Sequence, residues 1–202
     1  MVAIIDYNMG NLASVYNACK LLDTDAKIVS DPNELKNFGR IILPGVGAFG
    51  DAMEHLKQTG MEDAVKEFAK SGKPMIGICL GMQLLFESSK EFGEHKGLEL
   101  IPGDIVPFDK TKMDMDDHKV PHVGWNKLFN KEDKLFEELK DPYLYFVHSY
   151  HAVTKDEYTI GTTHYGYDFV SAVKKDNIYG FQPHPEKSHE NGLKILKNFI
   201  NI

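Results

Sequence analysis

Short apolar runs alternate with amphipathic stretches through the first half of the chain. Val2–Asp6 reads as a buried strand, and Asn11 as the cap of a helix in which Leu12, Val15, Ala18, Cys19 and Leu22 recur at helical spacing. Ala26–Val29 and Arg40–Leu43 are two further short strands, the second running into Pro44-Gly45-Val46-Gly47. Helices follow over about Ala48–Lys57 and Met61–Lys70, closed by Gly60 and Gly72. Pro74–Ile78 is another buried strand, and Leu80–Ser88 a helix that begins almost at once. Strands alternating with helices in this way imply a parallel sheet covered on both faces.

The second half changes character. Leu98–Phe108, Val120–Phe129, Tyr143–Thr154, Tyr158–Tyr165, Phe169–Lys174 and Ile178–Gln182 read as β-segments joined by turns, and a helix over about Glu190–Ile200 closes the pattern. No composition shift, linker or repeat divides the chain, so one α/β domain over 1–202 is expected. Asp109–His118 is the most loop-like stretch. Its acids lack the spacing and the glycine of a calcium loop, and it reads as solvated.

The 202 residues carry 23 Lys+Arg against 30 Asp+Glu, a net charge of −7 that disfavours a nucleic-acid backbone as partner. No apolar run reaches the roughly 18 residues a membrane span needs. The start, Met-Val-Ala-Ile-Ile, has neither basic region nor cleavage site, so a cytoplasmic location is expected. Two cysteines, Cys19 and Cys79, are too few for a disulfide framework and lack metal-like spacing.

Chemistry concentrates at Gly77-Ile78-Cys79-Leu80-Gly81. A buried strand ends and a helix begins with one reactive residue between two glycines, the arrangement of a nucleophile elbow. A thiol at a helix N-terminus is biased toward thiolate, and the Leu80 N–H would point to where an oxyanion develops. The competing reading is a packed core cysteine, which fits Cys19 inside its amphipathic helix far better than Cys79. Pro44-Gly45-Val46-Gly47 would face the elbow if its strand neighbours Pro74–Ile78, since ligands bind at the carboxyl edge of open α/β sheets. Taken alone it is only a turn.

Gln182-Pro183-His184-Pro185-Glu186 is the second strong element. Cysteine nucleophiles use a histidine to move protons, and a third group orients it. In an extended segment His184 and Glu186 share a face without needing to bond to each other. His55, His95, His118, His164 and His189 sit in polar or helical surroundings and read as ordinary surface or filler residues. Two aromatic-rich stretches, Pro121-His122-Val123-Gly124-Trp125-Asn126 and Tyr145-Phe146-Val147-His148-Ser149-Tyr150-His151, also hold polar groups. Alternation puts Phe146, His148 and Tyr150 on one face and Tyr145, Val147, Ser149 and His151 on the other; core and site faces are not distinguished.

Together these motifs resemble the triad-type, class I glutamine amidotransferase family. Ile5-Asp6-Tyr7-Asn8-Met9-Gly10-Asn11-Leu12, Pro44-Gly45-Val46-Gly47-Ala48-Phe49, Val120-Pro121-His122-Val123-Gly124-Trp125-Asn126 and Tyr145-Phe146-Val147-His148-Ser149-Tyr150 are most similar to the glutaminase subunits of imidazole glycerol phosphate synthase. Members serving anthranilate or guanine nucleotide synthesis tend to have a more glycine-rich oxyanion loop. The resemblance spans essentially the whole chain. It implies a flavodoxin-like, single-domain three-layer α/β fold with a mixed, largely parallel central sheet and added β-segments in the second half.

The resemblance further implies that Cys79 is the nucleophile, His184 the general base and acid, and Glu186 the group that orients His184. Leu80 with the Gly45–Val46 backbone would form the oxyanion hole, and losing one such donor costs enzymes on the order of 3–4 kcal/mol. Gly47, Gln83, Ser149 and Tyr150 would hold L-glutamine. Ammonia would pass to a (β/α)-barrel cyclase partner in a heterodimer, with Asn11, Trp125, Tyr145 and Lys187 at or near the interface. No metal or organic cofactor is implied, and neither nucleic acid nor membrane is an expected partner. Pro183 stands where family members usually carry an aromatic residue, a departure that bears on packing behind His184. His151 also departs from the pattern and is expected to tune the interface. The alternatives are a paralogous glutaminase feeding a cyclase-like partner in surface-sugar synthesis, and a cysteine hydrolase or non-catalytic binding domain on the same fold. Gln83, in the first helical turn after Cys79, argues against the last two of these.

Overall fold

The computed structural model describes residues 1–202. Strand β1 (Val2–Ile5) leads into helix α1 (Leu12–Leu21), and β2 (Ala26–Val29) is followed by a 3-10 turn at Pro32–Asn37 and by β3 (Arg40–Leu43). Helices α2 (Phe49–Gln58) and α3 (Met61–Lys70) precede β4 (Met75–Ile78) and the short α4 (Leu80–Leu84). The second half adds β5 (Ser88–Ser89), β6 (His95–Lys96), β7 (Asp104–Pro107), β8 (His122–Asn130), β9 (Tyr143–His148) and β10 (Tyr150–Val153). Then come β11 (Thr159–Tyr165), β12 (Tyr167–Lys175), β13 (Ile178–Phe181) and α5 (His189–Asn201).

The central sheet runs in the order β2-β1-β3-β4-β13-β12-β10-β7-β5-β6. Pairing from β2 across to β13 is parallel, and β12 then joins antiparallel. Strand β11 bridges from β12 to β8, and β9 pairs with β8 in a two-stranded ribbon beyond the sheet's main path. Side-chain alternation sorts β1 into two cores. Val2 and Ile4 pack with Val15 and Cys19 of α1 and with Ile195 and Phe199 of α5. Ala3 and Ile5 pack with Phe49 and Leu56 of α2 and with Val65 and Phe68 of α3. Both faces are therefore covered, as continuous apolar strands require. No helix is long and apolar enough to cross a membrane.

The structure departs from the sequence-based expectations at several points. Asn11 occupies the N-cap position of α1, but its side chain makes no capping bond. The helix after Cys79 has five residues rather than nine, because Glu87 and Ser88 turn away to pair with the β7 region. Only Asp104–Pro107 of the expected 98–108 segment is a strand. Tyr143–Thr154 is broken at Ser149, where the chain leaves the β8 ribbon and joins β7.

The double-sided core predicts a steep contrast between positions. Ile42, fully buried in β3, should lose about 2–5 kcal/mol on substitution Ile42→Ala. Phe92→Ser, at a residue 86% exposed, should stay within about 0.5 kcal/mol. Urea midpoints of the two variants check this.

Candidate active site

The β4–α4 junction is held by close backbone approaches. Cys79 adopts φ 55° and ψ −113°, a conformation that non-glycine residues adopt at a cost. Its N–H donates to the Phe181 carbonyl at 2.8 Å, which ties the elbow to the end of β13. A Cβ on Gly77 would lie 2.4 Å from the Gly81 carbonyl oxygen, and one on Gly81 would lie 1.8 Å from the Leu43 carbonyl oxygen. Neither glycine tolerates a side chain. The end of β3 is thus pressed against the elbow, and the loop that follows it, 44–47, borders Cys79.

The adjacency of β4 and β13 brings the second motif to the same edge. His184 follows β13 and donates its backbone N–H to the Tyr145 carbonyl at 2.8 Å. Its ring Nδ1–H donates to Glu186 Oε1 at 2.8 Å, so the two residues bond directly. The segment is not extended as the sequence suggested: Pro185–Lys187 forms a 3-10 turn that swings the carboxylate back onto the ring. Pro183 is buried and leaves the His184–Glu186 pair intact. The ring's other nitrogen, Nε2, is buried without a partner, as is Glu186 Oε2. Burial alone would lower the imidazole's pKa. The nearby Cys79 sulfur and the Glu186 carboxylate, with their negative charges, outweigh it and push the value up to about 10.

A cavity of about 400 Å³ joins these groups. Cys79, Leu80 and Gln83 come from α4 and the elbow, Val46 and Gly47 from the β3 loop, Ser149 and Tyr150 from the strand break, and His184 from beyond β13. The N–H of Leu80 opens a helix and has no partner within it. The Val46 and Gly47 N–H groups make no backbone hydrogen bond, and Gly47 has φ 102°. These are uncommitted donors beside the thiol. Gly45 does not line the cavity. It lies behind the loop, where a Cβ would come within 2.7 Å of the Tyr7 hydroxyl.

Four further lining residues had no role from sequence: Glu91, Pro121, Val147 and His148. Glu91 lies in a polar turn with no motif to mark it. Burial and the Glu91 charge together raise the Tyr150 pKa. His151, expected to tune the interface, is buried instead. The break at Ser149 reverses the alternation, burying His151 against Phe108 and Tyr167.

Of the interface candidates, Trp125 and Tyr145 pair across the β8–β9 ribbon, the Tyr145 carbonyl accepts from the His184 N–H, and Lys187 lies in the 3-10 turn after His184. In the β8–β9 ribbon Val123 lies opposite Val147 and Trp125 opposite Tyr145. Val123 and Trp125 are 55% and 47% exposed. Trp125 stacks on His189, another residue the sequence did not mark, with ring centroids 5.0 Å apart. Asn11 and Tyr145 are half-buried and Lys187 is exposed.

Residues 3–202 match the family model described as "Glutamine amidotransferase class-I". Relatives described as "Imidazole glycerol phosphate synthase subunit HisH" include one from Sulfurimonas denitrificans, 64% identical over 98% of this chain and 97% of that protein. Another, from Wolinella succinogenes, is 59% identical over the full length of both. The chain belongs to the class I glutamine amidotransferases, within the HisH subunit family. A solved structure titled "Crystal structure of glutamine amidotransferase" matches this amidotransferase with TM-score 0.77 at 17% identity over 100% of this chain and 98% of that one. "Structure of PurLQS from Thermotoga maritima" matches at 0.75 and 19% over 99% and 97%. At those identities the likeness speaks for the fold.

The raised imidazole gives this amidotransferase a defined pH dependence. A base whose folded pKa lies above its unfolded value stabilises the fold fully below the unfolded value, here 6.5, and loses that contribution as pH rises through about 10. The wild type should therefore lose stability relative to His184→Asn between those limits. A flat difference in melting temperature across that window would contradict it.

Proposed function

We propose that this chain is the glutaminase subunit of imidazole glycerol phosphate synthase, hydrolysing L-glutamine to L-glutamate and ammonia and delivering the ammonia to a (β/α)-barrel cyclase subunit in histidine biosynthesis. The observation that carries this reading is the meeting of an elbow cysteine, a carboxylate-bonded histidine and free backbone donors in one cavity, in a chain 64% identical to a HisH subunit.

In the proposed reaction the Cys79 thiol passes its proton to His184 Nε2 as the sulfur attacks the side-chain carboxamide carbon of glutamine. The negative charge that develops on the carbonyl oxygen is met by the Leu80 N–H and by the 44–47 loop. His184 gives a proton to the departing nitrogen, and ammonia leaves as the glutamyl thioester forms. His184 then takes a proton from water, whose oxygen attacks the thioester, and returns it to the departing sulfur as glutamate is released. Glu186 keeps the ring's Nδ1 protonated, so that Nε2 does the exchange. Gly47, Gln83, Ser149 and Tyr150 hold the amino-acid end. Glu91 supplies the negative charge that an α-ammonium group calls for.

The cyclase subunit would dock on the exposed apolar face of the β8–β9 ribbon that carries Trp125 and Tyr145, with Asn11 and Lys187 as further contacts. An apolar face of this kind at the rim of a catalytic cavity marks an interaction site, and Val147 belongs to both the face and the cavity wall. Similarity to two full-length HisH subunits favours the histidine-pathway acceptor over a surface-sugar one.

Cys79→Ala should abolish glutamate release while the circular dichroism spectrum and melting cooperativity stay unchanged. Wild-type chain alone should release glutamate weakly, and strongly with the cyclase and its ribotide substrate. Release that persists in Cys79→Ala refutes the nucleophile; release that ignores the loaded cyclase refutes the acceptor.

A further inference from the structure

Gln182 and two buried histidines are absent from the mechanism above, yet they sit in a hydrogen-bond chain that ends on the nucleophile. Gln182 is fully buried, and its Nε2 lies 3.8 Å from Cys79 Sγ, within donor range for sulfur. Its Oε1 accepts from Gln83 Nε2 at 3.0 Å. Gln83 Nε2 donates its second hydrogen to the Tyr150 carbonyl at 3.2 Å. That carbonyl also accepts from His148 Nδ1 at 2.8 Å. His148 Nε2 lies 3.1 Å from His122 Nδ1, and His122 Nε2 lies 3.4 Å from Asn126 Nδ2.

The direction of every bond follows from chemistry. A carbonyl only accepts, so His148 carries its proton on Nδ1, and its Nε2 must accept from His122 Nδ1–H. His122 Nε2 then accepts from Asn126. Burial keeps both rings neutral, lowering His122 to about 4 and His148 to about 3. On the other side of the Tyr150 carbonyl, both Gln83 amide hydrogens are committed. Gln182 can satisfy Gln83 only through its oxygen, which leaves its amino group aimed at the sulfur. Flipping Gln182 would set two amino groups against each other in a buried space, at the cost of an unmet donor.

We propose that Gln182 is a further catalytic residue, a hydrogen-bond donor to the Cys79 sulfur, and that Gln83, His148 and His122 are positioning residues that fix its orientation. A donor on the sulfur favours the charged, attacking form and steadies the thiol against the substrate carbon. Gln83 thereby has a second role beside the amino-acid end: with its hydrogens committed, only its carbonyl oxygen is free for the substrate. This inference rests on Cys79 being the nucleophile.

Two substitutions isolate the donor. Gln182→Glu keeps the shape and an acceptor for Gln83 but presents oxygen to the sulfur, and Gln182→Met keeps the length without polarity. In complex with the cyclase, both should lower kcat for glutamine by about tenfold to a hundredfold, the worth of one hydrogen bond to a charged group, with KM changed by less than about threefold. Alkylation of Cys79 by iodoacetamide in the free chain should slow by a similar factor. A second pair tests the positioning: His148→Asn retains a donor for the Tyr150 carbonyl, His148→Leu does not, and only the Leu variant should show the slow alkylation. Gln182 variants that melt cooperatively and alkylate and turn over within twofold of wild type would overturn the proposal. Should neither Gln182 variant fold, equal alkylation in the two His148 variants overturns it, and slowing in the Leu variant alone supports it. Cys79→Ala, run beside them, separates the readings: activity there defeats the nucleophile assignment, whereas an inactive Cys79→Ala with normal Gln182 variants defeats only the donor.

Discussion

At the carboxyl edge of β3 and β4 two backbones touch with no room for a side chain between them. The Leu43 carbonyl oxygen lies where a Cβ on Gly81 would be, and the Gly81 carbonyl lies where one on Gly77 would be. This contact holds Cys79 at φ 55° and brings the 44–47 loop beside the thiol. Relaxing it would return the elbow to ordinary strand and helix geometry and move both the sulfur and the loop donors. The cost of the strained residue, of order 1–3 kcal/mol, is offset by the fully buried strands on either side, which leave the turn no other path.

The sheet does the rest of the assembly. Because β13 lies parallel to β4 in register Phe181↔Ile78, the residues that follow each strand emerge side by side. Cys79 leaves one strand, and Gln182 and His184 leave the other. The cavity therefore needs no long loop to gather its chemistry. Among the contributions from outside the parallel sheet, Ser149–Tyr150 arrives because the chain breaks from the β8 ribbon and crosses to β7 at that point. Function sits where the topology changes, at a boundary between two strand pairings.

Much of this was legible from residue patterns. Four-residue apolar runs such as Val2–Ile5 and Met75–Ile78 carry their own evidence of double-sided burial. Glycines flanking one cysteine mark an elbow because the geometry excludes side chains. What escaped was long-range. Ser88–Ser89 and His95–Lys96 are two-residue strands with no periodicity to detect. The break at Ser149 has no glycine or proline to announce it, so simple alternation grouped His151 with the exposed Val147, whereas it is buried beside Phe108. Glu91 reaches the cavity from a polar turn, with its carboxylate on the Phe49 N–H at 2.6 Å, a contact 42 residues apart in sequence. The 3-10 turn at Pro185 converts a spacing of two into a direct His184–Glu186 bond, where an extended reading only aligned the side chains.

The central claim is covalent: the acyl group of glutamine is carried on Cys79. Acid-quenching the chain during turnover with glutamine and the loaded cyclase, followed by peptide mass spectrometry, reads this directly. The account predicts a glutamyl adduct on the peptide bearing Cys79 and none on the peptide bearing the buried Cys19. Steady glutamate release with no adduct on Cys79, or with the adduct on another residue, would contradict it.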